Sequence, residues 1–108
     1  MALTREFKET VQARVRRDAP FRKALLREAA ECLLAGDLAT GNAVLRDYIN
    51  ATIGFIKLAE AMQRSPKSLM RMFGPAGNPN ARILFDVVAY LQRTEGVRFE
   101  VRLTRAVA

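Results

Sequence analysis

Lys67 and Arg71 stand four residues apart, just after a Ser65-Pro66 pair, in a chain of 108 residues that contains no histidine. On a helix that spacing puts both cations on one face. An ammonium or guanidinium there donates and never accepts, so its natural targets are phosphate oxygens and the O6 and N7 acceptors of guanine. Other familiar chemistry is missing. With no His and only Cys32, the usual zinc ligand sets and any His-based general base or triad are out of reach. Cys32 lies in an apolar helical stretch and reads as a small core residue that can form no internal disulfide. Glu28 and Glu31, three apart, read as solvent-facing charges, and no nucleophile and base are arranged together. Neither an enzyme nor a metal or cofactor is expected.

The charge balance points the same way. There are 18 basic and 11 acidic residues, a formal net charge of +7, and such an excess favours a polyanionic partner. From Gly54 onward the basic residues number nine against four acidic; before it they number nine against seven. An amphipathic helix on anionic lipid would want its cations on one helix opposite a large apolar face, whereas here they are spread over several elements. No apolar run approaches the roughly 20 residues of a membrane span, and the N-terminus has no uninterrupted hydrophobic core of a signal peptide. The expectation is no membrane and a cytoplasmic location.

The elements that must carry these residues read as all-α, about six helices in one domain over residues 1–108. Half of the residues are hydrophobic but only 7% are aromatic, a mixture that suits packed helices. Thr4 caps a first helix with Phe7, Val11 and Val15 at four-residue spacing, stopping near Asp18. Asp18-Ala19-Pro20 opens a second, with Phe21, Leu25, Ala29, Cys32 and Leu33 as one stripe up to the stop at Gly36. Asp37 caps a third, whose Gly41, Val44, Leu45, Tyr48, Ile49 and Thr52 share a face, Gly41 permitting close packing. After Gly54 comes a short helix over 55–62 with Phe55, Leu58, Ala59 and Met62 inward. Ser65-Pro66 starts another, ending at Gly74, with Leu69, Met72 and Phe73 inside. A Gly-Pro-Asn-rich loop over 74–80 leads to a sixth helix over about 81–95, with Ile83, Leu84, Val87, Val88 and Leu91 on its core side. Beyond Gly96 the period changes to two: Val97, Phe99, Val101 and Leu103 alternate with polar residues. Residues 97–104 therefore form a candidate strand. A lone strand leaves its backbone unpaired, so either it pairs with the same strand of a second chain or it frays as a tail.

Residues 55–73 meet the requirements of a helix-turn-helix, in which a short scaffold helix packs across a second helix and a tight turn fixes their angle. Small Ala59 lets the helices cross closely, Leu58, Met62, Leu69 and Met72 fill the shared core, and Lys67, Ser68, Met70 and Arg71 point outward. The run Leu58-Ala59-Glu60, then Ser65, Ser68-Leu69 and Arg71, resembles phage-repressor-type helix-turn-helix regulators. More narrowly, the stretch from Leu45-Arg46-Asp47-Tyr48-Ile49-Asn50-Ala51-Thr52 through Lys67-Ser68-Leu69-Met70-Arg71-Met72 to Gly77-Asn78-Pro79 is similar to antidote proteins of bacterial toxin-antitoxin modules. The likeness covers about two thirds of the chain. It departs at Gln63, where these repressors often carry Gly, and at Arg64, where an apolar residue usually plugs the turn. A Gln held in the left-handed conformation there would carry a modest strain, and Arg64 would instead reach a phosphate.

The resemblance implies a homodimer that binds double-stranded operator DNA and represses its own operon, and in many members neutralises a small ribonuclease-type toxin. Carried over by position, base edges fall to Lys67 and Arg71, with Met70 and Pro66 beside them. Backbone contacts fall to the amides of Gly54 and Phe55 and to Arg64, Ser65, Ser68, Asn78, Asn80 and Arg82. A second reading makes the chain chiefly a protein-interaction module, with the helices of 4–53 grasping a partner toxin and residues 54–95 retained for packing.

Overall fold

The computed structural model describes residues 5–107, and six helices account for most of them: α1 (Arg5–Arg17), α2 (Ala19–Leu34), α3 (Leu38–Ala51), α4 (Phe55–Met62), α5 (Pro66–Phe73) and α6 (Ala81–Glu95). The chain is one all-helical domain with a single core, and no strand forms among the described residues. Thr4, expected as the first cap, lies outside the described residues, as does the side chain of Phe7.

Local chemistry sets most of the boundaries. Asp18 accepts from the Phe21 amide at 3.1 Å and Asp37 from the Thr40 amide at 3.2 Å, each side chain satisfying a donor that a helix N-terminus leaves open. α2 and α3 form the closest helix pair, and Gly41 is the reason they can approach: a Cβ there would stand 2.7 Å from Leu33 Cδ2. α1 covers this pair through Val15, α5 contacts α3, and α6 contributes Ile83, Val87 and Leu91 to the shared core around Tyr48, Ile49, Leu58 and Phe73.

The expected stripe on α2 is rotated. Leu26 and Ala29 are fully buried, whereas Phe21, Leu25, Cys32 and Leu33 are only half-buried. Ala24 and Glu28 flank the buried line with their side chains in solvent, so α2 packs on a narrower face than its apolar content suggests. Just past the end of α3, Thr52 is exposed rather than part of the buried face, and its Oγ1 donates to the Tyr48 carbonyl at 2.7 Å. Residues 97–107 leave α6 without forming a β-ladder within the chain. Val97 and Phe99 pack on the core, and the Phe99 amide donates to Gln92 Oε1 at 2.8 Å.

Candidate nucleic-acid interface

α4 and α5 are each eight residues long and are joined by residues 63–65 alone. Gly54 enters α4 at φ 79, ψ 154, a left-handed-side backbone that suits Gly. Leu58 and Ala59 of α4 and Leu69 and Phe73 of α5 are fully buried against each other and the core. The ring of Phe55, at the start of α4, lies 6.2 Å from that of Phe73, at the end of α5, tilted by 45°. That contact ties the two far ends of the pair together, since aromatic rings favour such tilted arrangements.

The connection takes the geometry expected of it. Gln63 is left-handed at φ 55, ψ 48, the lone non-glycine residue with positive φ among the described residues. The turn closes with the Gln63 amide on the Glu60 carbonyl at 3.2 Å and the Arg64 amide on the Ala59 carbonyl at 2.9 Å. Ser65 then caps α5, its Oγ accepting from the Ser68 amide at 3.4 Å, with Pro66 at the first helical position. At the other end, Arg46 Nη1 of α3 donates to the Phe73 carbonyl at 3.0 Å. The loop behind it folds back tightly: the Gly77 amide bonds the Gly74 carbonyl at 3.0 Å, and a Cβ on Gly77 would meet the Arg71 carbonyl oxygen at 1.8 Å.

The outer face of α5 brings Lys67, Met70 and Arg71 together at helical spacing, all exposed, while Pro66 and Ser68 are half-buried beside them. Among the described residues neither Lys67 nor Arg71 has an acidic partner. Arg64 and Ser65 are exposed on the connection, Asn78 and Asn80 on the following loop, and Arg82 on the first turn of α6. Three of the groups expected to bind a DNA backbone are already engaged within the fold, Ser65 Oγ among them as the cap of α5. The Gly54 amide donates to the Ile49 carbonyl at 2.7 Å, which leaves the Phe55 amide to open α4, its ring being buried. Asn80 Oδ1 caps α6 by accepting from the Ile83 amide at 2.9 Å, which leaves its amide nitrogen for other use.

The most constrained polar cluster lies elsewhere, and sequence spacing does not reveal it. Arg22 of α2 donates through Nε to Glu95 of α6 at 2.7 and 2.9 Å, and the Tyr48 hydroxyl of α3 donates to the same carboxylate. Burial pushes the Glu95 carboxyl up, but the hydrogen bonds from Arg22 and Tyr48 outweigh it and hold the group below its ordinary value. Burial, then the bond to Glu95, raises Tyr48. One signal is present in the sequence: a Glu in the last turn of a helix opposes the helix dipole and calls for a compensating cation.

Among the described residues no group of three or more His, Cys, Asp or Glu side chains is placed to hold a metal ion, and no helix is long and apolar enough to cross a membrane. No protein-family model matches the chain, and neither a curated protein nor a solved structure matches it.

Proposed function

We propose that this chain is a DNA-binding regulator that acts as a homodimer, lays α5 in the major groove of duplex DNA, and reads base edges with Lys67 and Arg71. One observation carries the reading: a capped two-turn helix buries Leu69 and Phe73 and turns Lys67, Met70 and Arg71 outward with no acidic partner among the described residues. Unneutralised cations on a rigid element are what phosphate and guanine contacts require, whereas a merely solvated helix face gains from acidic neighbours at four-residue spacing. Arg64, Ser65, Ser68, Asn78, Arg82 and the Phe55 amide then serve to position α5 on phosphates. Likeness to antidote proteins supports a repressor of its own operon, with a small toxin as a further partner and the cytoplasm as its place of action.

The test starts from a binding site selected out of a random-sequence duplex pool. Affinity for that site falls steeply with salt, and Arg71→Ala weakens it by about 1 to 3 kcal/mol while costing less on random DNA. Equal losses on both DNAs would remove the base-reading role. The alternative, a module that chiefly binds a toxin, is favoured instead if the chain shows no salt-dependent DNA affinity but co-purifies with a small protein from its native host.

A further inference from the structure

Beyond α5 an apolar groove of about 630 Å³ is bounded by the end of α2, the start of α3, the 78–80 loop and the outer side of α6. Its rim holds Leu34, 78% exposed, and Phe85, 66% exposed, with Leu84 and Val88 half-buried inside. Asn42 also lines it, and its buried Oδ1 has no hydrogen-bond partner. The chain's own tail runs along this groove: Phe99 and Val101 form part of its wall. Past Phe99 the tail's backbone makes no hydrogen bond among the described residues, while Val101 and Leu103 are 86% and 94% exposed. Arg98 and Glu100 pair with each other at 3.1 Å on the opposite side, in solvent. An alternating, unpaired edge of this kind is a template for another strand.

We infer that the groove is covered by a second copy of this chain, whose tail pairs antiparallel with the first about a two-fold axis at Val101. This deepens the dimer of the proposed function and rests on that part of it. The register follows from the side chains. In an antiparallel pair, residues directly opposite point to the same face, so keeping apolar opposite apolar places the axis at a residue rather than between two. With the axis at Glu100, that carboxylate faces its own copy and Arg98 faces Arg102, so every charged pair is repulsive. With the axis at Phe99, Leu103 runs past the end of the partner strand, because position 95 is still helical. With the axis at Val101, Glu100 faces Arg102 of the second copy twice, Phe99 faces Leu103 twice, and Val101 meets Val101. The apolar side of this ribbon then lies over the groove, and the charged side stays in water.

The experiment uses the full chain carrying Cys32→Ser, without DNA, in sedimentation equilibrium. The wild-type tail gives a dimer. Glu100→Arg or Arg102→Glu alone sets like charges opposite each other and raises the dimer dissociation constant about tenfold or more, and the double variant restores it. Under mild oxidation Val101→Cys is captured as a disulfide-linked dimer and Glu100→Cys is not. A monomer throughout, a dimer indifferent to the charge swaps, or capture at position 100 in preference to 101 overturns the inference. Because both tail charges are exposed, unchanged circular dichroism separates these outcomes from misfolding. A dimer with this register that binds no DNA sinks the DNA reading alone, and a monomer that binds DNA sinks the ribbon and the homodimer while leaving the DNA reading in place.

Discussion

Arg22 Nε lies 2.7 Å from one carboxylate oxygen of Glu95 and 2.9 Å from the other, clasping the first turn of α2 to the last turn of α6 across 73 residues of sequence. The carboxylate is almost wholly buried, at 4% side-chain exposure, so it cannot fall back on water if its partner is removed. Breaking a buried pair by deleting one member leaves an uncompensated charge, which is costlier than the pair was favourable.

Acid should therefore loosen the fold from this end. Glu95 titrates below its ordinary value in the folded chain, so its contribution is complete above about pH 4.3, the unfolded value, and is lost as the pH drops from there through the lowered folded value. Arg22→Ala leaves the buried carboxylate unpaired and lowers stability by about 3 kcal/mol at neutral pH, whereas Glu95→Gln flattens the acid limb of the stability profile. Tyr48, raised by burial, behaves oppositely: its share is present below about pH 10 and is lost as the pH climbs above that. Urea melts across the pH range check both limbs. An acid limb as steep in Glu95→Gln as in the parent would contradict the assignment.

Lys67 and Arg71 should separate function from folding. Both side chains are in solvent without ion-pair partners among the described residues, so Lys67→Ala and Arg71→Ala change stability by less than about 0.5 kcal/mol. On the proposed function their loss is read in DNA affinity, as a weaker preference for the selected site over random DNA. Thermal melts beside filter binding decide it; a large drop in melting temperature would mean that these side chains hold the helix rather than the ligand.

The helix pair was legible in the sequence because its determinants are local. Asp18, Asp37 and Ser65 each lie three residues before the amide they cap, and Gln63 stands at the position where a left-handed residue is needed. What escaped is set by distant chain. Leu26 rather than Cys32 faces the core because α1 and α3 together decide which side of α2 is covered. Glu95 looks like a surface charge until the fold brings Arg22 and Tyr48 to it. Gly54 and Asn80 have the right types for phosphate binding, but the backbone uses the first amide, and a helix cap uses the second side chain. The tail of 97–104 shows its period of two plainly, yet one chain holds no partner for it.

The strained turn residue offers a gain of stability. Gln63 sits at φ 55, ψ 48, a region that costs a residue with a Cβ about 1 kcal/mol. Its side chain is exposed and makes no hydrogen bond among the described residues, so Gln63→Gly removes nothing seen to hold the turn. Relief of the strain, less the greater entropy of an unfolded glycine, leaves a net stabilisation of about 0.5 kcal/mol. DNA affinity should hold or improve, as the angle between α4 and α5 is unchanged. A lower melting temperature would indicate that the Gln63 side chain has a partner in solution that offsets its backbone.

Gly77 is the reverse case. A methyl group there would approach the Arg71 carbonyl oxygen to 1.8 Å and the Met72 carbonyl oxygen to 2.7 Å, and both obstacles are backbone, which no rotamer change can clear. Gly77→Ala must push the loop away from the end of α5 and disturb the Gly77 amide bond to Gly74. Overpacking of this kind costs about 1 to 3 kcal/mol. Because the displaced carbonyl belongs to Arg71 itself, DNA affinity falls as well, and it falls more than the destabilisation alone explains when binding is measured well below the melting temperature. Arg46→Ala, which removes the donor to Phe73 at the same helix end, should reproduce part of the drop in stability, about 1 kcal/mol. Retention of full affinity in Gly77→Ala at reduced stability would show that the end of α5 can shift without moving Arg71 on the DNA.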